Sequence, residues 1–143
     1  MKIAIASDHG GYELKEEIVE LLEDLKIDYR DFGTDSKESV DYPDYANQVA
    51  QAVAQGEYDK GILICGTGIG MSIAANKVAG VRAALCHDVF SARVTREHND
   101  SNVLAMGGRI IGAELAKTIV ETWLDATFDG GRHERRINKF KEC

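Results

Sequence analysis

The residues best suited to chemistry gather between Lys60 and Lys77, in the stretch KGILICGTGIGMSIAANK. Gly61 to Cys65 is a short apolar run and reads as a buried strand. Gly66, Gly68 and Gly70 follow in alternation, and a helical pattern begins at about Met71. A strand feeding a Gly-rich turn and then a helix N-terminus makes an anion site, because glycine lets the backbone close in and free N–H groups point at the ligand. Cys65 sits at the strand end and faces that field. A thiol so placed loses its proton more readily and can act as base or nucleophile. Taken alone, the spacing leaves open a buried structural cysteine beside a plain tight turn. Three familiar machines fail on named residues. A Walker loop needs Gly-Lys-Ser/Thr, but Met71 and Ser72 follow Gly70. The dinucleotide fingerprint needs G-x-G-x-x-G, and the spacing here is G-x-G-x-G. A Cys-dependent phosphatase loop needs an arginine where Met71 stands.

Other polar residues recur at the ends of elements. Asp8-His9 follows the first apolar run and can hold hydroxyls or an anion, or simply cap a helix. His98 and Asn99 can form an acid–base and hydroxyl-binding pair, or a surface turn. His87-Asp88 reads more simply as a helix start, with Asp88 as N-cap. Arg109, just after Gly107-Gly108, can reach an anion or make a surface ion pair. Tyr42 can line a pocket or pack at a helix start. Arg132, Arg136 and Lys139 lie at i, i+4 and i+7 and so share one helix face. Arg132 to Lys141 holds five Lys/Arg against only Glu134, in a chain of net charge -7. Arginine forks suit phosphate oxygens, though a solvated terminal helix docked by Ile137 and Phe140 has the same composition.

These residues need a scaffold, and the apolar pattern describes one. Strands are expected at Lys2–Ser7, Asp28–Phe32, Gly61–Cys65, Val81–Leu85 and Asn102–Met106. Helices are expected over Leu14 to Leu25, from Pro43 to Gly56, from about Met71, over Asp88–Glu97, around Leu115 to Leu124, and over Arg132–Lys141. Short apolar strands alternating with helices mean a parallel sheet covered on both faces, with ligands at the carboxyl ends of its strands. The 143 residues suit one domain, 1–143. The acidic balance argues against a nucleic-acid or anionic-membrane partner, and no apolar run reaches the length of a membrane span. Cys65, Cys86 and Cys143 lack metal-ligand spacing and fit a reducing cytoplasm.

Five stretches in this order, SDHGG at 7–11, DYPDYA at 41–46, CGTGIGMSIAANK at 65–77, HND at 98–100 and GGRHERR at 130–136, resemble the type B ribose-5-phosphate isomerases. The wider family also holds galactose-6-phosphate isomerase subunits and allose-6-phosphate isomerases. The resemblance runs from Met1 to about Lys139. It implies a three-layer α/β/α sandwich around a five-stranded, Rossmann-like parallel sheet in the order 2-1-3-5-4, with a C-terminal helix. It implies a homodimer, sometimes paired into a tetramer, with sites between subunits. The implied reaction is aldose–ketose isomerisation of a phosphorylated sugar, with no metal and no cofactor. Some members carry a glutamate base at the position of Met71; this chain keeps the cysteine and falls with the cysteine-using branch.

The resemblance also distributes roles. Cys65 is the base that moves a proton between C1 and C2 through a cis-enediolate, and Thr67 passes a proton between O1 and O2. His98 opens the furanose ring. Gly66, Gly68, Ile69 and Gly70 line the substrate, and Asp8 and Asn99 hold sugar hydroxyls. His9, Arg109, Arg132 and Arg136 clamp the phosphate. Ribose 5-phosphate is the expected substrate, because one chain carries both the cysteine loop and the C-terminal arginines. A phosphorylated hexose is the alternative within the class. A non-catalytic module for a sugar phosphate or nucleotide is the alternative outside it, and it leaves Cys65, Thr67 and His98 without roles.

Overall fold

The computed structural model describes residues 1–140. The chain alternates strand and helix: β1 (Lys2–Ser7), α1 (Tyr12–Asp24), β2 (Asp28–Asp31), α2 (Tyr42–Ala54), β3 (Lys60–Cys65), α3 (Ile69–Ala75), β4 (Ala83–Leu85), α4 (Val89–Asn99), β5 (Val103–Gly107), α5 (Ala113–Asp125) and α6 (Arg132–Asn138). The strands form one five-stranded sheet in the order β2-β1-β3-β5-β4, and every pairing is parallel. The expected sheet and its order are therefore both present.

The pleat explains why the strands read as continuous apolar runs. Ile3, Ile5, Ile62, Ile64, Leu104 and Met106 point to one face, against Ile18 and Leu22 of α1, Ala92 of α4, and Ile119 and Trp123 of α5. Ala4, Ala6, Leu63, Val103 and Ala105 point to the other, against Val49, Ala50 and Val53 of α2 and Met71 and Ala75 of α3. Both faces of the central strands are covered, so polar alternation disappears from them. Truncating Leu22 or Ile62, both fully buried, would cost about 2–5 kcal/mol. Trp123 is fully buried and its indole N–H donates to Ser101 Oγ at 2.9 Å. No helix among the described residues is long and apolar enough to cross a membrane.

Several boundaries differ from the sequence expectation. α3 starts at Ile69 rather than Met71, because Gly68 supplies the left-handed turn (φ 77°) that lets the helix begin at once. α4 runs on through His98 and Asn99, so these residues are helical rather than a turn; Asp100 ends the helix at φ 47°. Aspartate is among the few non-glycine residues that adopt this conformation readily. β5 includes Gly107, which pairs with Cys65 instead of breaking the strand. β2 stops at Asp31 and β4 shrinks to Ala83–Leu85. The last helix covers Arg132–Asn138; Lys141 and Cys143 lie outside the described residues.

Candidate active site

The loops that leave the carboxyl ends of β1, β3 and β5 are joined by backbone hydrogen bonds. Asp8 N–H donates to Ile64 O (3.2 Å), Gly108 N–H to Cys65 O (2.8 Å) and Arg109 N–H to Gly66 O (2.9 Å). This network holds Cys65, which is 5% exposed, with its sulfur accepting from the Gly68 N–H at 3.1 Å. A thiolate accepts from just such a donor. Gly68 must be glycine for two reasons: its φ is 77°, and a Cβ there would lie 2.5 Å from Leu85 Cδ1 and 2.7 Å from the Met106 carbonyl carbon. Thr67, two residues after the cysteine, is exposed, its Oγ1 accepting from Ile69 N–H at 3.3 Å. Ile69 is half-exposed. The Tyr42 ring packs over Gly70 closely enough that any Cβ there would meet it at 2.6 Å. Tyr42 thus both heads α2 and walls the loop.

Asp8 braces the turn that precedes α1 and leaves something over. Its Oδ1 accepts from Gly10 N–H (2.9 Å) and Gly11 N–H (3.1 Å); Oδ2 has no hydrogen bond among the described residues. His9 Nδ1 accepts from Val40 N–H at 3.2 Å, which turns the Nε2 side of the ring outward as a donor. The Arg109 guanidinium lies along the glycine backbone of both loops, within 3.1 Å of where a Cβ on Gly66 would be and 3.4 Å of one on Gly10. Asp8, His9, Cys65, Thr67, the Gly66–Gly70 loop and Arg109 are therefore one cluster. His87 supports it from behind: its Nε2 accepts from Gly107 N–H at 3.0 Å. Burial holds His87 below the usual imidazole range, which preserves the acceptor. Asp88 is the N-cap expected of it, accepting from Ser91 N–H at 2.7 Å.

The remaining candidates lie elsewhere. A helix that follows a parallel strand runs back to the amino end of the sheet, and α4 ends there. Arg82, just before β4, donates through Nε to Asn99 O (3.0 Å) and through Nη2 to Asp100 O (2.9 Å), pinning that helix end. α6 docks beside it, and Asp129 N–H donates to Glu97 O at 2.9 Å. His98 stacks on His133 with ring centroids 4.0 Å apart and planes within 8°. Arg132 and Arg136 are exposed and have no ion-pair partner among the described residues. A cavity of about 550 Å³ opens beside Asn99, lined also by Lys77, Arg82, Thr95 and Phe140; no residue of the cysteine loop lines it. β3 has six residues and so spans roughly 20 Å at about 3.3 Å per residue. Within one chain, His98, Asn99, Arg132 and Arg136 therefore stand about a sheet's length from Cys65.

His98, Asp129 and His133 also place their ligand atoms within 4.8 Å of one another. An ion bound to an imidazole lies in the ring plane. With the two rings face to face, an ion in the plane of one lies far out of the plane of the other, so the set does not chelate as arranged. Sequence reasoning did not single out His133, and it read His87 with Asp88 only as a helix start. The only signal for His133 was its place inside GGRHERR, and His87 had none beyond following a strand.

Known proteins resemble this chain over nearly its whole length. A family model described as Ribose/Galactose Isomerase matches residues 3–140. A putative sugar phosphate isomerase of Bacillus subtilis is 61% identical, covering 99% of this chain and 96% of its own. Ribose-5-phosphate isomerase B of Escherichia coli is 57% identical, covering 95% and 91%. The solved structure of Clostridium thermocellum ribose-5-phosphate isomerase B superposes with a TM-score of 0.98 at 58% identity, covering 99% of this chain and 96% of that one. A matched model over nearly the whole chain, relatives this close and a common sheet order make the protein a member of the Ribose/Galactose Isomerase family, an isomerase by lineage.

Proposed function

We propose that this protein interconverts ribose 5-phosphate and ribulose 5-phosphate through a cis-enediolate, in a site completed by a second copy of the chain. One observation supports it above the rest: a nearly buried thiol at the end of β3, with a loop N–H aimed at its sulfur and a threonine two residues on in the same loop. The sulfur takes the proton from C2 of the open-chain aldose and returns it to C1. The Gly68 N–H, 3.1 Å from the sulfur, donates to the anion that this step requires. The loop from Gly66 to Gly70 holds the enediolate oxygen as an oxyanion hole does. Thr67 moves a proton between O1 and O2, since a hydroxyl donates and accepts. Asp8 offers Oδ2 to a sugar hydroxyl, and His9 and Arg109 face the phosphate.

His98, Asn99, Arg132 and Arg136 complete the reading from the partner copy. His98 opens the furanose, Asn99 holds a hydroxyl, and the two arginines fork the phosphate, whose binding positions C1 and C2 against the sulfur. A homodimer, which can pair further into a tetramer, brings the two ends together. The pentose is favoured over a hexose by the similarity to the ribose-5-phosphate isomerases B of Escherichia coli and Clostridium thermocellum and by the presence of both clusters on one chain. A reducing cytoplasm would keep Cys65 as a thiol.

The test is to incubate the protein with ribose 5-phosphate and assay the ketose, beside Cys65→Ala. Catalysis by a positioned base contributes about 10²–10⁴-fold, so Cys65→Ala should lose at least that with KM little changed. Near wild-type turnover in that variant would end the assignment. The two-copy site is tested by refolding Cys65→Ala with Arg132→Ala/Arg136→Ala. A mixed dimer holds one site with both intact clusters, and activity should rise above either parent. If heterodimers form and nothing is regained, each chain serves its own site.

A further inference from the structure

The face-to-face imidazoles at the end of α4 have no function in the mechanism above beyond that of His98. Parallel rings at 4.0 Å and 8° are a defined arrangement, and the surrounding contacts hold it. Arg82 fixes the α4 end through the carbonyls of Asn99 and Asp100. Asp129 N–H ties the approaching loop to Glu97 O, and His133 N–H donates to Gly130 O at 3.0 Å. The His133 ring is thereby delivered onto the His98 ring by a hydrogen-bonded turn that is tied to α4 at Asp129.

We propose that His133 is a positioning residue for the ring-opening step, a flat plate that fixes the plane in which His98 takes and returns its proton. The inference rests on the reading of His98 given above. In ring opening, His98 takes the proton from the O1 hydroxyl, the C1–O4 bond breaks as the C1=O bond forms, and the proton is returned to O4, leaving His98 as it began. The nitrogen lone pair lies in the ring plane, so rotation of the ring turns the base away from O1. A stacked plate restricts that rotation without using either nitrogen of His98.

The plate must also be uncharged, because two adjacent imidazolium ions repel. Desolvation, helped by the charges of His98, Arg132 and Arg136 and opposed by Asp129, holds His133 below the usual imidazole range. These are the titratable and charged groups facing His133, from α4, from the preceding loop and from α6 itself. Near neutrality His98 therefore cycles its proton beside a neutral ring.

The test compares His133→Ala, which removes the plate, with His133→Phe, which keeps a flat ring that cannot titrate. An aromatic pair is a modest contact, so His133→Ala should lower kcat on cyclic ribose 5-phosphate by about two- to tenfold, with KM nearly unchanged. His133→Phe should recover most of the loss. Exchange of the carbon-bound proton on supplied open-chain ketose should be unaffected in both. The His98 ring protons in the NMR spectrum should move downfield in His133→Ala and return in His133→Phe. In a His98→Ala background, His133→Ala should add nothing. Equal loss in the Ala and Phe variants, a loss confined to KM, or no loss in His133→Ala while His98→Ala is crippled would each overturn the inference alone. No loss in His98→Ala would overturn the ring-opening reading and this inference with it.

Discussion

Replacing Gly68 by alanine separates two costs that the structure makes additive. Gly68 and Gly56 share the same φ of 77°, a left-handed conformation that costs an L-residue about 1–2 kcal/mol. A Cβ on Gly56 meets nothing within 4 Å, whereas one on Gly68 lies 2.5 Å from Leu85 Cδ1 and 2.7 and 2.9 Å from the Met106 carbonyl carbon and oxygen. Leu85 ends a short edge strand and is 38% exposed, so it can turn aside. Met106 belongs to β5 between β3 and β4, and its carbonyl cannot. The clash should add about 1–3 kcal/mol, the usual cost of overpacking. Gly56→Ala should thus lower Tm by about 3–6 °C and Gly68→Ala by about 6–15 °C, at roughly 3 °C per kcal/mol and equal protein concentration. Relief of the clash pushes the loop outward and lifts the Gly68 N–H from Cys65 Sγ, now 3.1 Å away. Misplacement on the order of 1 Å can cost about a hundredfold in kcat. Gly56→Ala should be fully active. If Gly68→Ala melts with Gly56→Ala, the Met106 carbonyl is not the obstacle; if it is destabilised but fully active, the Gly68 N–H does not matter to Cys65.

Other outcomes follow from the same geometry. Arg136→Ala should raise KM for ribose 5-phosphate by roughly ten- to a hundredfold, the size of one charge-assisted contact, and Arg136→Lys should not restore it, because a point charge cannot fork; an unchanged KM removes Arg136 from the phosphate site. Iodoacetamide at pH 8 should modify Cys65 well before Cys86, whose thiol is 2% exposed and pushed up to about 11, first by burial and then by Asp88; peptide mapping that finds Cys86 labelled first would contradict the packing. Asp88→Ala should lower Tm through loss of the α4 cap. The Ser91 hydrogen bond holds the Asp88 carboxyl below its usual 3.8, so the cap acts in full above about pH 4 and is lost as pH falls through the lowered folded value. The Tm gap should narrow in acid, and a gap that widens there would be the wrong sign.

The sheet was legible because its central strands are buried on both faces, which leaves short apolar runs such as KIAIAS and KGILIC that admit little else. The cysteine loop was legible for a similar local reason: a positive φ and close backbone approach both demand glycine. The ends of helices were not. HND reads as a turn by composition, yet Asp100 tolerates the left-handed cap and so extends α4 over His98 and Asn99. The separation of the site into two clusters was implicit in the topology, since α4 must return to the amino end of the sheet, but no local pattern announces it. The stack of His98 on His133 depends on how α6 docks on α4, a contact across more than thirty positions of sequence that periodicity cannot supply.

The seat of Trp123 has a spectroscopic consequence. It is the chain's one tryptophan, wholly buried, and its indole N–H donates to Ser101. Ser101 follows Asp100, the residue that ends α4, and its carbonyl accepts from Arg96. Intrinsic emission is therefore a single-site reporter of the helix end that carries His98 and Asn99, and it is silent about the cysteine loop. A blue-shifted band that moves on adding substrate would register events at the α4 end alone. Thiol labelling of Cys65 would register the other end, so the two signals can be timed against each other in one unmodified protein.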